Sequence, residues 1–64
     1  MDKEYPLSCS EAMDIAFNQK KIVRSKTKYS CEYHFNNNGA LCYESGTEAC
    51  ISEYEQKAFW KVVN

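Results

Sequence analysis

Lys28-Tyr29-Ser30-Cys31-Glu32-Tyr33-His34-Phe35, then Asn36-Asn37-Asn38-Gly39, then Ala40-Leu41-Cys42-Tyr43-Glu44 is the stretch that decides the fold. From Lys28 to Phe35 the residues alternate, with Tyr29, Cys31, Tyr33 and Phe35 on one side and Lys28, Ser30, Glu32 and His34 on the other. A strand presents successive side chains to opposite faces, so this alternation predicts a half-buried strand. The asparagine-glycine run is a turn, and Ala40 to Glu44 returns as a second strand. A three-residue loop Asn37-Asn38-Gly39, with glycine left-handed, is a common hairpin solution. It sets Phe35 opposite Leu41, Tyr33 opposite Tyr43 and His34 opposite Cys42. A slip of one residue would exchange the faces of the returning strand, and this register keeps the aromatic side consistent. It also places Cys42 on the outer face and Cys31 on the inner one, which argues against a bridge between them.

Upstream, Ser8-Cys9-Ser10-Glu11 has the form of a capping box, in which Ser8 accepts from the Glu11 amide and Glu11 reaches back. A helix is expected from there to about Asn18–Lys20. Cys9, Ala12, Met13 and Ala16 form its apolar stripe, widened by Ile15 and Phe17. Ile22-Val23-Arg24 reads as a short strand. Downstream, Ser52-Glu53-Tyr54-Glu55 repeats the capping signature and predicts one to two helical turns reaching about Ala58, and Phe59 to Val63 reads as the last strand. The expected fold is a single α+β domain over residues 1–64: an N-terminal helix packed on a small, mostly antiparallel sheet, with a short second helix before the last strand.

Sixty-four residues make a thin core, since a chain of this size removes only roughly 60% of its unfolded surface from water. Small domains often add disulfides, a metal or a second subunit to such a core. Met1 to Pro6 has no secretory character, which points to the cytoplasm, where Cys9, Cys31, Cys42 and Cys50 are expected to be free thiols. Zinc is not expected, because there is no Cys-x-x-Cys pair and His34 is the only histidine. No apolar run approaches the ~20 residues of a membrane helix.

The net charge of −1 conceals an asymmetry. Lys20, Lys21, Arg24, Lys26 and Lys28 place five positive charges in nine residues, and everything else sums to −6. That split favours a localised anion site over a nucleic-acid coat, for which the whole domain would be basic. Arg24 can meet phosphate oxygens with two parallel hydrogen bonds, Lys26 and Lys28 add point charges, and Tyr29 offers a ring for a nucleobase. Lysines also keep exposed strand edges from pairing, the plainer role for the same run. Tyr43, Phe59 and Trp60 are the candidates for burial against a second copy of the chain. An enzyme would need a nucleophile beside an oriented base, or a metal. His34 across from Cys42 lacks a third group to orient the imidazole, and Glu53 and Glu55 read as helix-capping and solvated carboxylates. No catalysis and no cofactor are expected.

Ser10-Glu11-Ala12-Met13, Lys20-Lys21-Ile22-Val23-Arg24, and Ser52-Glu53-Tyr54-Glu55 leading to Ala58-Phe59-Trp60-Lys61-Val62 resemble segments of a family of short phage proteins, the Thoeris anti-defence sponges of the second type. That family commonly has Gly-Trp-Asn or a similar segment after the arginine, where this chain has Ser25-Lys26-Thr27-Lys28, and its members are usually longer. The resemblance implies an oligomeric domain that sequesters a cyclic nucleotide-derived signal without cleaving it. The expected function is therefore a phage-type host-interaction protein that binds a small anionic nucleotide-like ligand. Its rival is an inhibitor of a host protein acting by direct surface contact.

Overall fold

The computed structural model describes residues 3–28 and 31–63. In chain order they form α1 (Cys9–Gln19), β1 (Val23–Ser25), β2 (Glu32–Phe35), β3 (Leu41–Tyr43), α2 (Glu53–Lys57) and β4 (Trp60–Val62). The strands make one antiparallel sheet in the order β3-β2-β1-β4. This is the expected α+β arrangement, with the second helix immediately before the last strand.

Both helices begin with a complete capping box. Ser8 Oγ accepts from the Glu11 amide at 3.2 Å while Glu11 Oε1 accepts from the Ser8 amide at 3.0 Å. In α2, Ser52 and Glu55 repeat the exchange at 3.2 Å in each direction. These contacts satisfy amides that have no partner within a helix. α1 stops at Lys20, which takes the left-handed conformation (φ 55°) without being glycine. Its ammonium group lies 5.6 Å from the Phe17 ring centre.

The hairpin register is the expected one: Tyr33 faces Tyr43, His34 faces Cys42 and Phe35 faces Leu41. Gly39 is left-handed at φ 82°. Asn36 closes the turn, its Oδ1 accepting from the amides of Asn38 and Ala40 at 2.9 and 3.0 Å. β2 is shorter than the alternation suggested, because Lys28 lies in a turn and regular pairing starts at Glu32. β4 is likewise trimmed to Trp60–Val62, and its N-terminal end is joined on the outside by Leu7, whose amide and carbonyl exchange bonds with Trp60 at 3.0 and 2.7 Å.

The core is small. Ala12 and Ala16 of α1 pack on Val23, Tyr33 and Trp60 of the sheet, all essentially inaccessible to water. Alanines at these two helix positions let the backbone of α1 approach the sheet closely. Tyr33 stands between Tyr43 and Trp60, with ring centres 5.5 and 5.6 Å away. Cys31, Phe35, Leu41 and Tyr43 pack around this cluster, so the aromatic face of the hairpin is the inner one. Phe17 stays about half exposed at the margin, edge-on to Phe35 at 5.3 Å.

One expectation is corrected by the packing. Trp60, expected to pack against a second subunit, is wholly buried in its own chain, and its Nε1–H donates to the Glu55 carbonyl at 2.8 Å. Cys42 does point away from the helices with His34, but it is buried. Residues 47–49 run alongside β3, pairing Glu48 with Cys42, and Asn36 Nδ2 lies 3.6 Å from the sulfur. Cys9, Cys31, Cys42 and Cys50 are unbridged. No helix among the described residues is long and apolar enough to cross a membrane.

Candidate functional site

Strand alternation divides the basic run. In β1, Val23 and Ser25 are fully buried on the helix side of the sheet, so Arg24 between them projects from the opposite face. There its guanidinium meets Glu32, directly across on β2, at 3.7 Å, and its Nε is enclosed without a hydrogen-bond partner. Lys26 and Lys28 follow the end of the strand and line a cleft on the helix side. The structure therefore brings Lys26 and Lys28 together and leaves Arg24 apart. Tyr29, the fourth expected contact, lies outside the described residues.

The cleft, of about 870 Å³, opens between the segment after β1 and helix α2. One wall carries Lys26, Thr27, Lys28 and Cys31; the other carries Cys50, Ser52, Tyr54, Lys57 and Ala58. Tyr33, Tyr43 and Glu55 form its inner lining. Lysines thus reach the cleft from two separate segments of the chain. Lys57 also reaches Glu53 at 3.4 Å, but this pair is fully at the surface, where such contacts contribute only about 0.3–0.5 kcal/mol and leave the ammonium available to a ligand. Lys26 extends toward Tyr5, its ammonium 5.9 Å from a ring that Lys61 also covers at 5.0 Å.

Glu55 organises the inner lining. Its Oε2 accepts from Tyr33 Oη at 2.6 Å and from Ser25 Oγ at 3.2 Å, while Oε1 accepts from Ser52 Oγ and the Ser52 amide at 3.0 and 3.2 Å. A buried carboxylate with this many donors is well satisfied, which is what makes its burial tolerable. Tyr33 is shaped by the same contact. Burial first, then its hydrogen bond to Glu55 and the charge behind it, push its hydroxyl well above the usual tyrosine range. Burial, followed by the charge of Glu55, also raises the Cys9 thiol.

The sequence singles out Lys26 and Lys28, which both line the cleft, but not Lys57 or Tyr54, which line it too, nor the buried position of Glu55. The capping role of Glu55 is as expected, but its reading as a solvated carboxylate is corrected, because Ser25 and Tyr33 donate to it inside the fold; a lysine and tyrosine in one helical turn carry no signal until α2 is placed against the hairpin. Of the residues assigned to a subunit contact, Tyr43 is half-buried in the cleft lining and Phe59 is 46% exposed. Among the described residues, no three histidines, cysteines or carboxylates converge on a point where a metal could sit. No protein-family profile matches this chain, and neither does any curated protein or solved structure. The resemblance to the sponge family thus stands on its short motifs alone.

Proposed function

We propose that this domain is a binding module without catalytic activity whose cleft captures a small anionic, nucleotide-like ligand. The supporting observation is a single cleft lined by Lys26 and Lys28 from the segment after β1, by Lys57 from α2, and by three tyrosines. Ammonium groups on opposite walls suit an anion held in the middle, and aromatic rings suit a ligand with a planar part. Glu55 adds one negative charge to the lining, but its oxygens are occupied by Tyr33, Ser25 and Ser52. In this reading the domain sequesters an anionic nucleotide-derived signal in the cytoplasm, as the sponge resemblance implies. Self-association, proposed with it, would draw on Phe59, Val62 and Val63, exposed at the two ends of β4.

Calorimetric titration with nucleoside mono- and diphosphates tests the ligand. Lys28→Ala and Lys57→Ala are expected to weaken binding several-fold each, with a further loss on added salt. Arg24→Lys, on the far face, is expected to leave affinity unchanged. A wild-type protein that binds none of these anions would overturn the proposal and favour the second reading, an inhibitor that contacts a host protein through the exposed Tyr54 and Phe59.

A further inference from the structure

Tyr54 stands apart from the other rings of the cleft. Tyr33 and Tyr43 are packed against each other, whereas Tyr54 is 82% exposed although it lines the same space. Its mount is nonetheless rigid. The next residue, Glu55, is fastened through its carbonyl by Trp60 and through its carboxylate by Tyr33, Ser25 and Ser52. The backbone beneath Tyr54 is therefore fixed while the ring lies open to solvent. Lys57 lies three residues on in the same helix, on the same face, so a ring and an ammonium stand side by side on one wall. Lys26 and Lys28 stand across from them.

We infer that Tyr54 is the specificity-determining residue of the cleft, a ring that closes over the base of a bound nucleotide while Lys57 and Lys28 hold its phosphate. This rests on the anion-binding reading of the cleft and adds to it the class of ligand selected: a phosphate that carries an aromatic base, in preference to a sugar phosphate of equal charge. The ring's exposure in the free protein leaves its face unspent, and a rigid mount limits the ordering that binding must impose. Stacking of one base on an aromatic side chain corresponds to a factor of about five to a hundred in affinity.

The experiment compares the four ribonucleoside 5′-monophosphates with ribose 5-phosphate on the wild-type domain, Tyr54→Ala, Tyr54→Phe and Lys28→Ala, by calorimetry with circular dichroism as the check of folding. Tyr54 is exposed, and alanine is a better helix former, so the fold should survive both substitutions. At least one nucleotide is expected to bind five- to a hundredfold more tightly than ribose 5-phosphate. Tyr54→Ala should erase that difference without weakening ribose 5-phosphate, Tyr54→Phe should keep it, and Lys28→Ala should weaken both kinds of ligand together. Equal binding of nucleotides and ribose 5-phosphate, or a Tyr54→Ala variant that still discriminates, would overturn the role of Tyr54 while leaving the anion site standing. Failure of the wild type to bind either kind of ligand would overturn both.

Discussion

The two helices of this domain start from the same four-residue device and end in different environments. Ser8–Glu11 and Ser52–Glu55 form capping boxes of nearly equal geometry. Glu11 is exposed, and its work ends at the Ser8 amide. Glu55 is buried and additionally receives hydroxyls from β1 and β2. α1, eleven residues long, is held by its alanine face; α2, with five, is too short for that and is fastened by polar contacts. A capping motif therefore specifies where a helix begins, and what lies opposite its glutamate decides whether that residue is a local cap or a tertiary anchor.

Removing each glutamate should expose the difference. Glu55→Ala leaves the Tyr33 and Ser25 hydroxyls without their acceptor and also breaks the cap, for an expected loss of about 3 kcal/mol or more. A domain this small has only about 3–5 kcal/mol to lose, so the variant should be largely unfolded in urea titrations started from room temperature. A Glu55→Ala domain as stable as Glu11→Ala would erase the contrast between the two boxes.

Tyr33→Phe sharpens it by removing a single anchor bond, at an expected cost of about 1–2 kcal/mol. It also carries a pH signature. The folded hydroxyl is raised above its ordinary value, so the stability it contributes is complete below the unfolded tyrosine value of about 10. Above that pH the unfolded chain gives up the proton while the folded one keeps it, and stability falls as pH rises. Denaturation midpoints measured from pH 8 to 11 should decline for the wild type more steeply than for Tyr33→Phe. Parallel declines would mean that the hydroxyl is not held as the geometry indicates.

At the first helix the effects should be smaller. Ser8→Ala is expected to cost about 1 kcal/mol, the ordinary value of an N-cap, and Ser52→Ala more, since Ser52 Oγ also donates to Glu55. Thermal melts of the two variants compare them directly, and the reverse order would contradict the anchoring role of α2. The smallest effect belongs to Glu11, whose carboxyl is held below the ordinary range by the Ser8 amide and then by the Ser8 hydroxyl. A lowered folded value means that its contribution is present above the unfolded value of about 4.3 and fades as pH falls. Glu11→Gln should flatten that acid limb slightly in melts between pH 5 and 3, and an unchanged limb would show that the box is not formed in solution.

Both helix starts and the hairpin register were legible in the sequence because each is written within a few neighbouring residues. Ser8 needs only Glu11, and the pairing of Tyr33 with Tyr43 follows from alternation and one glycine. What could not be read depends on residues far apart in the chain. Glu55 meets Ser25 and Tyr33 across separations of 30 and 22 residues. Arg24 looked continuous with Lys26 and Lys28, yet the strand ends at Ser25: Lys28 lines the cleft, Lys26 borders it with its ammonium over Tyr5, and the arginine faces away. Trp60 resembled a surface aromatic until β4 was placed beside β1, where it completes the core.

That placement of β4 bears on how the chain is made. Trp60 lies at the centre of the core, but its partners Leu7, Ala12, Val23 and Tyr33 all precede it by more than twenty residues. During synthesis these earlier residues leave the ribosome with no tryptophan to close over. The sheet can gain β1–β2 and β2–β3 pairing in that interval, whereas the site between α2 and the hairpin waits for Trp60 to bind the Glu55 carbonyl. Contacts so distant in sequence form slowly compared with a hairpin. A chain cut before residue 60 would thus leave its aromatic face open to proteases, and protection should return when Trp60 to Val62 are present.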